Sequence, residues 1–461
     1  MQTTVRADVA VLGGGSGGYA TAIRSAQLGR SVVLVEEGSV GGTCLHRGCV
    51  PTKALLRVGE VADLVRSGAR YGLDTAMNDI DLTAVHAFKD SVVRRFHTGL
   101  RGLLSGLGVT VVEGYGRLSD VDTIEADDQR ITADAIVLAT GSAPKTLPAV
   151  PIGGRILSSD EALTLNDLPG TVAVLGGGVI GVEFASMWAS LGAEVTIVEA
   201  LPRLLPNEDP DNVRYLARAF RRRGIRVRTD ATVVDIAQSE HGVTIDLAAG
   251  DPIRADYLLV AVGRSPRTKD LGLERLDIEV VGGFVKTDQR LRTTRPGVYA
   301  VGDIVAGPQL AHRGFQHGVF VAEELAGRRP DPVDDTLVPR ITYSHPEVAG
   351  VGMSEQQARG RFGEDIRVSC HDLAGNAKSH LLDTAGSVKV ITDPGGRVLG
   401  VHMVGDRVGD RVGELIGEAQ LLCGMGITAA DAAVFTHAHP TQSEALGEAL
   451  MAVAGRPLHG H

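Results

Sequence analysis

The sequence predicts an α/β fold in which two βαβ units of the same kind are followed by a mixed α+β segment. Three observations carry this. The string VLGGG occurs at 11–15 and again at 174–178, and internal repetition is the strongest organising signal a sequence offers. Aligning 13–36 with 176–199 gives 11 identities in 24 positions, and both copies keep G-x-G-x-x-G and end on an acid, Glu36 or Glu199. Glycine makes up 59 of 461 residues, about 13% against an ordinary ~7%, with no collagen-like period.

Each copy runs in the same order: apolar strand, glycine turn, helical stretch, stop glycine (Gly29 or Gly192), second strand, acid. Gly13 and Gly176 permit the tight turn. Gly15 and Gly178 let backbone approach a pyrophosphate at a helix N-terminus, and Gly18 and Gly181, with Ala22 and Ala185, let that helix pack on its strand. Glu36 and Glu199, 23 residues past the first glycine, are placed to accept from a ribose 2′-hydroxyl, so neither site favours a 2′-phosphate. Arg203, four residues beyond Glu199, is the cation that bears on that preference. One such motif is ordinary punctuation between strand and helix. Two with equal spacing predict two Rossmann-like dinucleotide-binding domains.

At roughly 150 residues per domain, the length predicts about three domains. The segments 144–154 and 327–339, rich in Pro and Gly, suggest edges between them. A strand-like 257–262 ending at Gly263 closes the second nucleotide unit, and 281–303 returns to short strands. The last ~120 residues mix strands such as 387–392 with helices such as 445–454.

Composition excludes several classes. Lys and Arg number 46 against 56 Asp and Glu, a net charge of -10, which opposes binding to nucleic acid or an anionic membrane. The longest apolar runs fall short of the ~18 residues of a membrane span. The apolar stretch 9–12 is too short for a signal segment, and four cysteines cannot frame a disulfide scaffold, so the expected compartment is the cytoplasm.

Two of those cysteines, Cys44 and Cys49, fall in GGTCLHRGCVPTK. In a regular helix a five-residue separation places Cα atoms roughly 8.6 Å apart, beyond the ~7 Å limit for a disulfide. A bond between them therefore requires an irregular segment, for which Gly41, Gly42 and Gly48 supply freedom. Pro51 suits the first turn of a following helix, at whose N-terminus the Cys49 thiolate would be stabilised. Spacing alone leaves open a pair of buried free thiols. A zinc half-site is poorer, since two further ligands are missing and His46 is the one nearby imidazole. Cys370 and Cys423 are expected to be inert core thiols, and no metal site is expected.

With these residues in view, the chain resembles the pyridine nucleotide-disulfide oxidoreductases, most closely the dihydrolipoamide dehydrogenase branch. The likeness covers essentially the whole chain through GGTCLHRGCVPTKALL, the two nucleotide fingerprints, ATG at 139–141, AVGRSP at 261–266, TTRPGVYAVGD at 293–303 and HAHPTQSEALGEA near the C-terminus. The resemblance implies FAD in the first nucleotide domain, NAD in the second, and a C-terminal α+β dimerisation domain. The corresponding segments are 1–150 and 271–337 for FAD, 151–270 for NAD, and 338–461 for the interface.

By the same resemblance, Cys44 is the thiol that exchanges with substrate and Cys49 the thiol facing the flavin. Lys53 lies near the flavin's reactive nitrogen, with Glu183 its partner, and Asp303 holds the ribityl chain with Ala311 beside it. Gly116, Thr140, Gly141 and Ser142 follow the FAD, and Gly263 belongs to the NAD side. His439 and Glu444 form an acid-base pair contributed across a homodimer interface. Local physics gives Glu444 a second role, since Thr441 followed by Glu444 fits a capping box. His437 is expected to be a bystander. His46, where Asn is commonest, and His317, where an acid is frequent, depart from the pattern.

The implied activity is oxidation of protein-bound dihydrolipoamide by NAD⁺ through a Cys44–Cys49 disulfide and FAD. Implied partners are lipoyl domains and the acyltransferase core of a 2-oxo acid dehydrogenase complex, or a glycine-cleavage lipoyl protein. The rivals are a glutathione-like or mercuric reductase, a quinone-reducing diaphorase, and a non-catalytic subunit. The tail AGRPLHGH has no extra cysteine pair and Glu199 opposes NADPH, so the first of these is disfavoured.

Overall fold

Apolar, β-branched runs form the strands, and glycine decides where they stop. The computed structural model describes residues 3–148, 150–406 and 411–459. Strand Thr3–Leu12 ends at Gly13, whose φ of +104° lies in the left-handed region. Helix Ser16–Gln27 follows, and strand Val32–Glu36 returns parallel to the first, with Val9 opposite Val32 and Leu12 opposite Val35. The second copy repeats this with Thr171–Leu175, Gly176 at φ +110°, Val179–Leu191 and Glu194–Val198. Its helix stops at Gly192, φ +106°, as the C-cap.

The chain divides into two compact units, one of residues 1–54, 86–145 and 263–335, the other of 55–85, 146–262 and 336–461. The segments assigned from sequence to NAD and to the interface thus fall in one unit except for 263–270, which belong to the other, and helix Cys49–Ser67 begins in the first unit and ends in the second.

In the first unit one sheet runs Thr110–Glu113, Val32–Glu36, Thr3–Leu12, Gln129–Leu138, Thr123–Ala126, Gly116–Asp120. Strand Gln129–Leu138 serves two neighbours. Its first half pairs antiparallel with Thr123–Ala126, and its last residues pair parallel with Val298–Ala300. Val11, Leu34, Ile136, Val137 and Leu138 form the buried centre. Helix Ala311–Leu325 packs on Ser16–Gln27, and a Cβ at Gly318 would meet the Gly17 carbonyl oxygen at 2.5 Å.

The second unit holds an all-parallel sheet, Arg226–Arg228, Glu194–Val198, Thr171–Leu175, Tyr257–Val260, Ile156–Leu157. Apart from the exposed edge strand Arg226–Arg228, its strands are buried almost throughout, as parallel strands covered on both faces should be. A three-stranded antiparallel sheet begins at Val233–Ser239. The C-terminal part is antiparallel: Arg340–Thr342, Glu347–Gly352, Val398–Gly405, Gly386–Thr392, Arg367–Asp372. Helices Val412–Gly424 and Glu444–Val453 cover it through Ile416, Ala419, Leu446 and Leu450. The fold is therefore two Rossmann-like units with an α+β C-terminal part. One expectation is corrected: Cys370 is exposed on strand Arg367–Asp372, not a core thiol, while Cys423 is half-buried against the C-terminal core.

Glycines of two kinds respond differently to substitution. A Cβ at Gly18 or Gly181 would stand 1.8 or 2.0 Å from the carbonyl oxygen of Gly13 or Gly176, so Gly18→Ala and Gly181→Ala must push helix from turn. Gly192 has nothing within 4 Å and only its φ to strain. In urea unfolding, the first two variants are expected to lose about 3 kcal/mol or more, and Gly192→Ala roughly 1–2 kcal/mol.

Candidate active site

The two nucleotide turns are built alike. Helices Ser16–Gln27 and Val179–Leu191 start at Gly15 and Gly178, extended N-cap residues without a side-chain cap. Their first amides are left for an anion. A Cβ at Gly13 would lie 2.4 Å from the Ala139 carbonyl oxygen, and one at Gly176 2.4 Å from that of Ala261. Gly178 has nothing within 4 Å.

Each acid already holds backbone. Glu36 Oε2 accepts from the Gly14 amide at 2.5 Å and Oε1 from Gly38 at 2.9 Å. Glu199 Oε2 accepts from Gly177 at 2.6 Å and Oε1 from Leu201 at 2.7 Å. Both carboxylates clamp the turn they face, and each oxygen keeps a second lone pair for a hydroxyl. Arg203 donates to the Pro206 carbonyl at 2.7 Å.

The cysteine segment is seated on the first turn. Gly41, φ +110°, donates its amide to the Gly14 carbonyl at 2.8 Å, and a Cβ on Gly42 would be 2.6 Å from Gly15 Cα. Helix Gly42–Arg47 carries Cys44, the chain breaks at Gly48, and helix Cys49–Ser67 starts on the second cysteine. A side chain at Gly48 would strike the Thr43 carbonyl oxygen at 2.9 Å. The two cysteines are in the thiol form and hydrogen-bonded to one another. That bond first, then burial, raises the Cys44 pKa, while the Lys53 ammonium lowers it.

Sequence reasoning passed over several neighbours. Burial, and then the charges of Cys44 and Cys49, push the Tyr19 hydroxyl up to about 12. His46 contacts the Val40 carbonyl through Nε2 at 3.0 Å and meets His97 edge-on at 5.1 Å between ring centroids. Burial, followed by His46 and Arg101, holds His97 below the ordinary imidazole range. The His97 contact has no local signature, since His97 lies on the distant helix Leu82–Gly106.

Asp303 follows Gly302, φ +71°, in a short 3₁₀ turn. Its Oδ2 accepts from Ser142 Oγ at 2.5 Å, and Thr140 Oγ1 donates to the Arg267 carbonyl at 2.6 Å. Gly141 has φ +70°, and a Cβ on Gly116 would meet Leu12 Cδ1 at 2.5 Å. Ala311 opens helix Ala311–Leu325. Lys53, Gly116, Thr140, Gly141, Ser142, Asp303 and Gly263 all belong to the first unit. Gly263, φ +111°, accepts there from the Lys145 amide at 3.0 Å.

His439, Glu444 and Glu183 belong to the second unit. Glu183 is buried, and its Oε1 accepts from the Tyr343 amide at 2.9 Å. His439 Nδ1 and Glu444 Oε1 are 2.8 Å apart, and Glu444 Oε2 accepts from the Thr441 amide at 2.8 Å. One oxygen serves the imidazole and the other the backbone. Against the opposing effect of burial, the Thr441 amide and His439 hold this carboxyl below its usual range. Only half of the expected capping box forms. The helix N-cap is Ser443, and the Thr441 hydroxyl donates to the Ala438 carbonyl at 2.6 Å instead. His437 pairs with Glu418 at 3.0 Å and is raised by it. Among the described residues no group of three metal-ligating side chains gathers.

His317 is buried, and its Nδ1 accepts from the Gly302 amide at 3.3 Å, so its proton sits on Nε2. Burial, with Arg313 second, lowers its pKa to about 4. Folding thus opposes protonation, and the stability this group contributes is full above the unfolded value of ~6.5 and is lost as pH falls toward 4. His317→Asn keeps an acceptor that does not titrate. Thermal melts between pH 6.5 and 4 are expected to show a shallower loss in the variant, by up to about 3 kcal/mol; parallel curves would contradict the assignment.

The family described as pyridine nucleotide-disulphide oxidoreductase matches residues 7–318, and its dimerisation domain matches 338–450. Similar chains include the dihydrolipoyl dehydrogenase of Bacillus subtilis (strain 168), 35% identical over 98% of this chain and 99% of that one. That of Thermus scotoductus is 38% identical over 98% of each, and the mitochondrial one of Pisum sativum 38% identical over 98% and 92%. Among solved structures, LpdA from Mycobacterium tuberculosis superposes with a TM-score of 0.90 at 27% identity, covering 98% of this chain and 99% of that one. The Cu(II) complex of the HOCl-induced flavoprotein disulfide reductase RclA from Escherichia coli gives 0.87 at 28%, covering 97% and 100%. Repeat, cysteine segment and full-length likeness agree: the chain belongs to the pyridine nucleotide-disulphide oxidoreductase family.

Proposed function

We propose that the chain is a dihydrolipoyl dehydrogenase, reoxidising protein-bound dihydrolipoamide with NAD⁺. The observation that carries this is the cysteine pair seated on the first nucleotide turn, in a chain matched end to end by dihydrolipoyl dehydrogenases. The cofactors are FAD and NAD. The chain fits them: the uncapped helix start at Gly15, the side-chain-free cradle of Gly13 and Gly42, and the Glu36 carboxylate suit a dinucleotide, and Gly176, Gly178 and Glu199 suit a second.

Bound FAD supplies a two-electron acceptor that returns the pair as hydride to NAD⁺. The rest falls to side chains. His439 Nε2, with Nδ1 directed to Glu444, takes a proton from one substrate thiol. The thiolate attacks Cys44 Sγ of the oxidised pair, the Cys44–Cys49 bond breaks, and Cys49 leaves as thiolate. The second substrate thiol then attacks the substrate sulfur of the mixed disulfide, closing the lipoyl ring and releasing Cys44. Lys53, one helical turn past Cys49, supplies the positive charge. Cys49, at the start of its helix, is favoured as thiolate by the helix dipole.

The C-terminal match is to a dimerisation domain, and we place His439 and Glu444 opposite the cysteines of a second copy. The lipoyl substrate arrives on a lipoyl domain of a 2-oxo acid dehydrogenase or glycine-cleavage system, in the cytoplasm. Among the described residues no helix is long and apolar enough to cross a membrane.

Steady-state assay should give turnover with dihydrolipoamide and NAD⁺ and little with glutathione disulfide and NADPH; the reverse preference overturns the assignment. Glu444→Gln keeps an acceptor for the Thr441 amide while removing the charge that orients His439. Its lipoamide kcat is expected to fall about 10²-fold, and an unchanged rate would leave Glu444 as a helix-start residue alone. Glu199→Ala should lower kcat/KM for NAD⁺ about tenfold and narrow the preference over NADP⁺.

A further inference from the structure

Asp303 is the acid on which the proposed flavin site relies, and one of its oxygens is already engaged. Ser142 Oγ donates to Asp303 Oδ2 at 2.5 Å. Arg264 Nε donates to the same Oγ at 2.7 Å, and Arg264 Nη2 to the Ser142 carbonyl at 2.8 Å. A hydroxyl carries a single proton, and a guanidinium N–H can only donate. Ser142 must therefore accept from Arg264 and direct its proton to Asp303, so the relay runs in one direction only. Ser142 is buried, which strengthens both bonds.

The frame around this relay is rigid. Strands Ser142–Pro144 and Arg264–Pro266 pair antiparallel, with Ser142 opposite Pro266 and Arg264 opposite Pro144. The adjoining Thr140 hydroxyl and Gly141 carbonyl bind the carbonyl and amide of Arg267. Among the described residues no hydrogen bond engages Asp303 Oδ1.

We infer that Arg264 is a positioning residue for FAD, acting through the Ser142 hydroxyl to hold Asp303 by Oδ2 and leave Oδ1 for a ligand hydroxyl. The inference rests on the proposed function, which makes Asp303 a flavin contact. Without the guanidinium the Ser142 hydroxyl is free to rotate, and the carboxylate loses the donor that fixes it.

The experiment follows FAD release from the purified holoenzyme as the rise in flavin fluorescence on dilution. Arg264→Met is expected to speed release about tenfold, the value of one charge-assisted hydrogen bond, and Arg264→Lys to fall between Met and the parent. Ser142→Ala should speed release to a similar extent. The double variant separates a relay from a general loss of structure: if Arg264 acts through Ser142, it releases FAD no more than about twofold faster than Ser142→Ala alone. Independent, multiplying effects would overturn the inference, as would parental release from Arg264→Met. The urea midpoint of the FAD-free protein should move little in Arg264→Met; a fall matching the release effect would also overturn it. A parent that binds no FAD sinks the proposed function with it, whereas a parent that binds FAD and oxidises dihydrolipoamide while Arg264→Met behaves as parent sinks this inference alone.

Discussion

The site depends on backbone meeting backbone with no side chain between. The Gly41 amide reaches the Gly14 carbonyl at 2.8 Å, and Gly42 lies so near Gly15 that a Cβ would stand 2.6 Å from its Cα. The cysteine segment is thereby fixed to the turn proposed to cradle a pyrophosphate. The break at Gly48 then leaves Cys44 inside one short helix, Gly42–Arg47, while Cys49 begins the next, which brings together thiols that a continuous helix would hold apart.

The two nucleotide units use one backbone slot for different ends. In the first, the Gly14 carbonyl accepts from Gly41 at the head of the cysteine segment. In the second, the Gly177 carbonyl accepts from Leu205 at 2.9 Å, and the buried Leu204 and Leu205 fill the space. Glu36 and Glu199 clamp their turns through the same pair of amides in each copy. A common scaffold thus seats a cysteine segment in one copy and an apolar segment in the other. The two copies part at the segment C-terminal to each acid.

Most of the fold was legible because its signals are local. Strand, turn, helix and acid lie within 24 residues, and glycines at Gly13, Gly18, Gly176 and Gly181 are required by carbonyls a few residues or one strand away. The cysteine segment was legible for the same reason. The contacts that escaped were set by topology. Arg264 and Asp303 are 122 and 161 residues from Ser142, Glu418 is 19 from His437, and His97 meets the cysteine segment from a separate helix. The role of His317 as an acceptor is visible only once the Gly302 amide is seen to point at Nδ1. The half-formed box at Thr441 shows a local rule yielding to a neighbour: the Thr441 hydroxyl turns to the Ala438 carbonyl, while Glu444 keeps its bond to the Thr441 amide and holds His439 with its other oxygen.

The central claim is that the cysteine pair and a flavin on the first nucleotide turn are two coupled two-electron acceptors in one chain. Anaerobic reductive titration of the FAD-loaded protein measures this directly. The account predicts uptake of about two electron pairs per chain, one by the disulfide and one by the flavin, falling to about one pair in Cys49→Ser with FAD retained. A parent protein that saturates at one pair, with Cys49→Ser indistinguishable from it, would contradict the account.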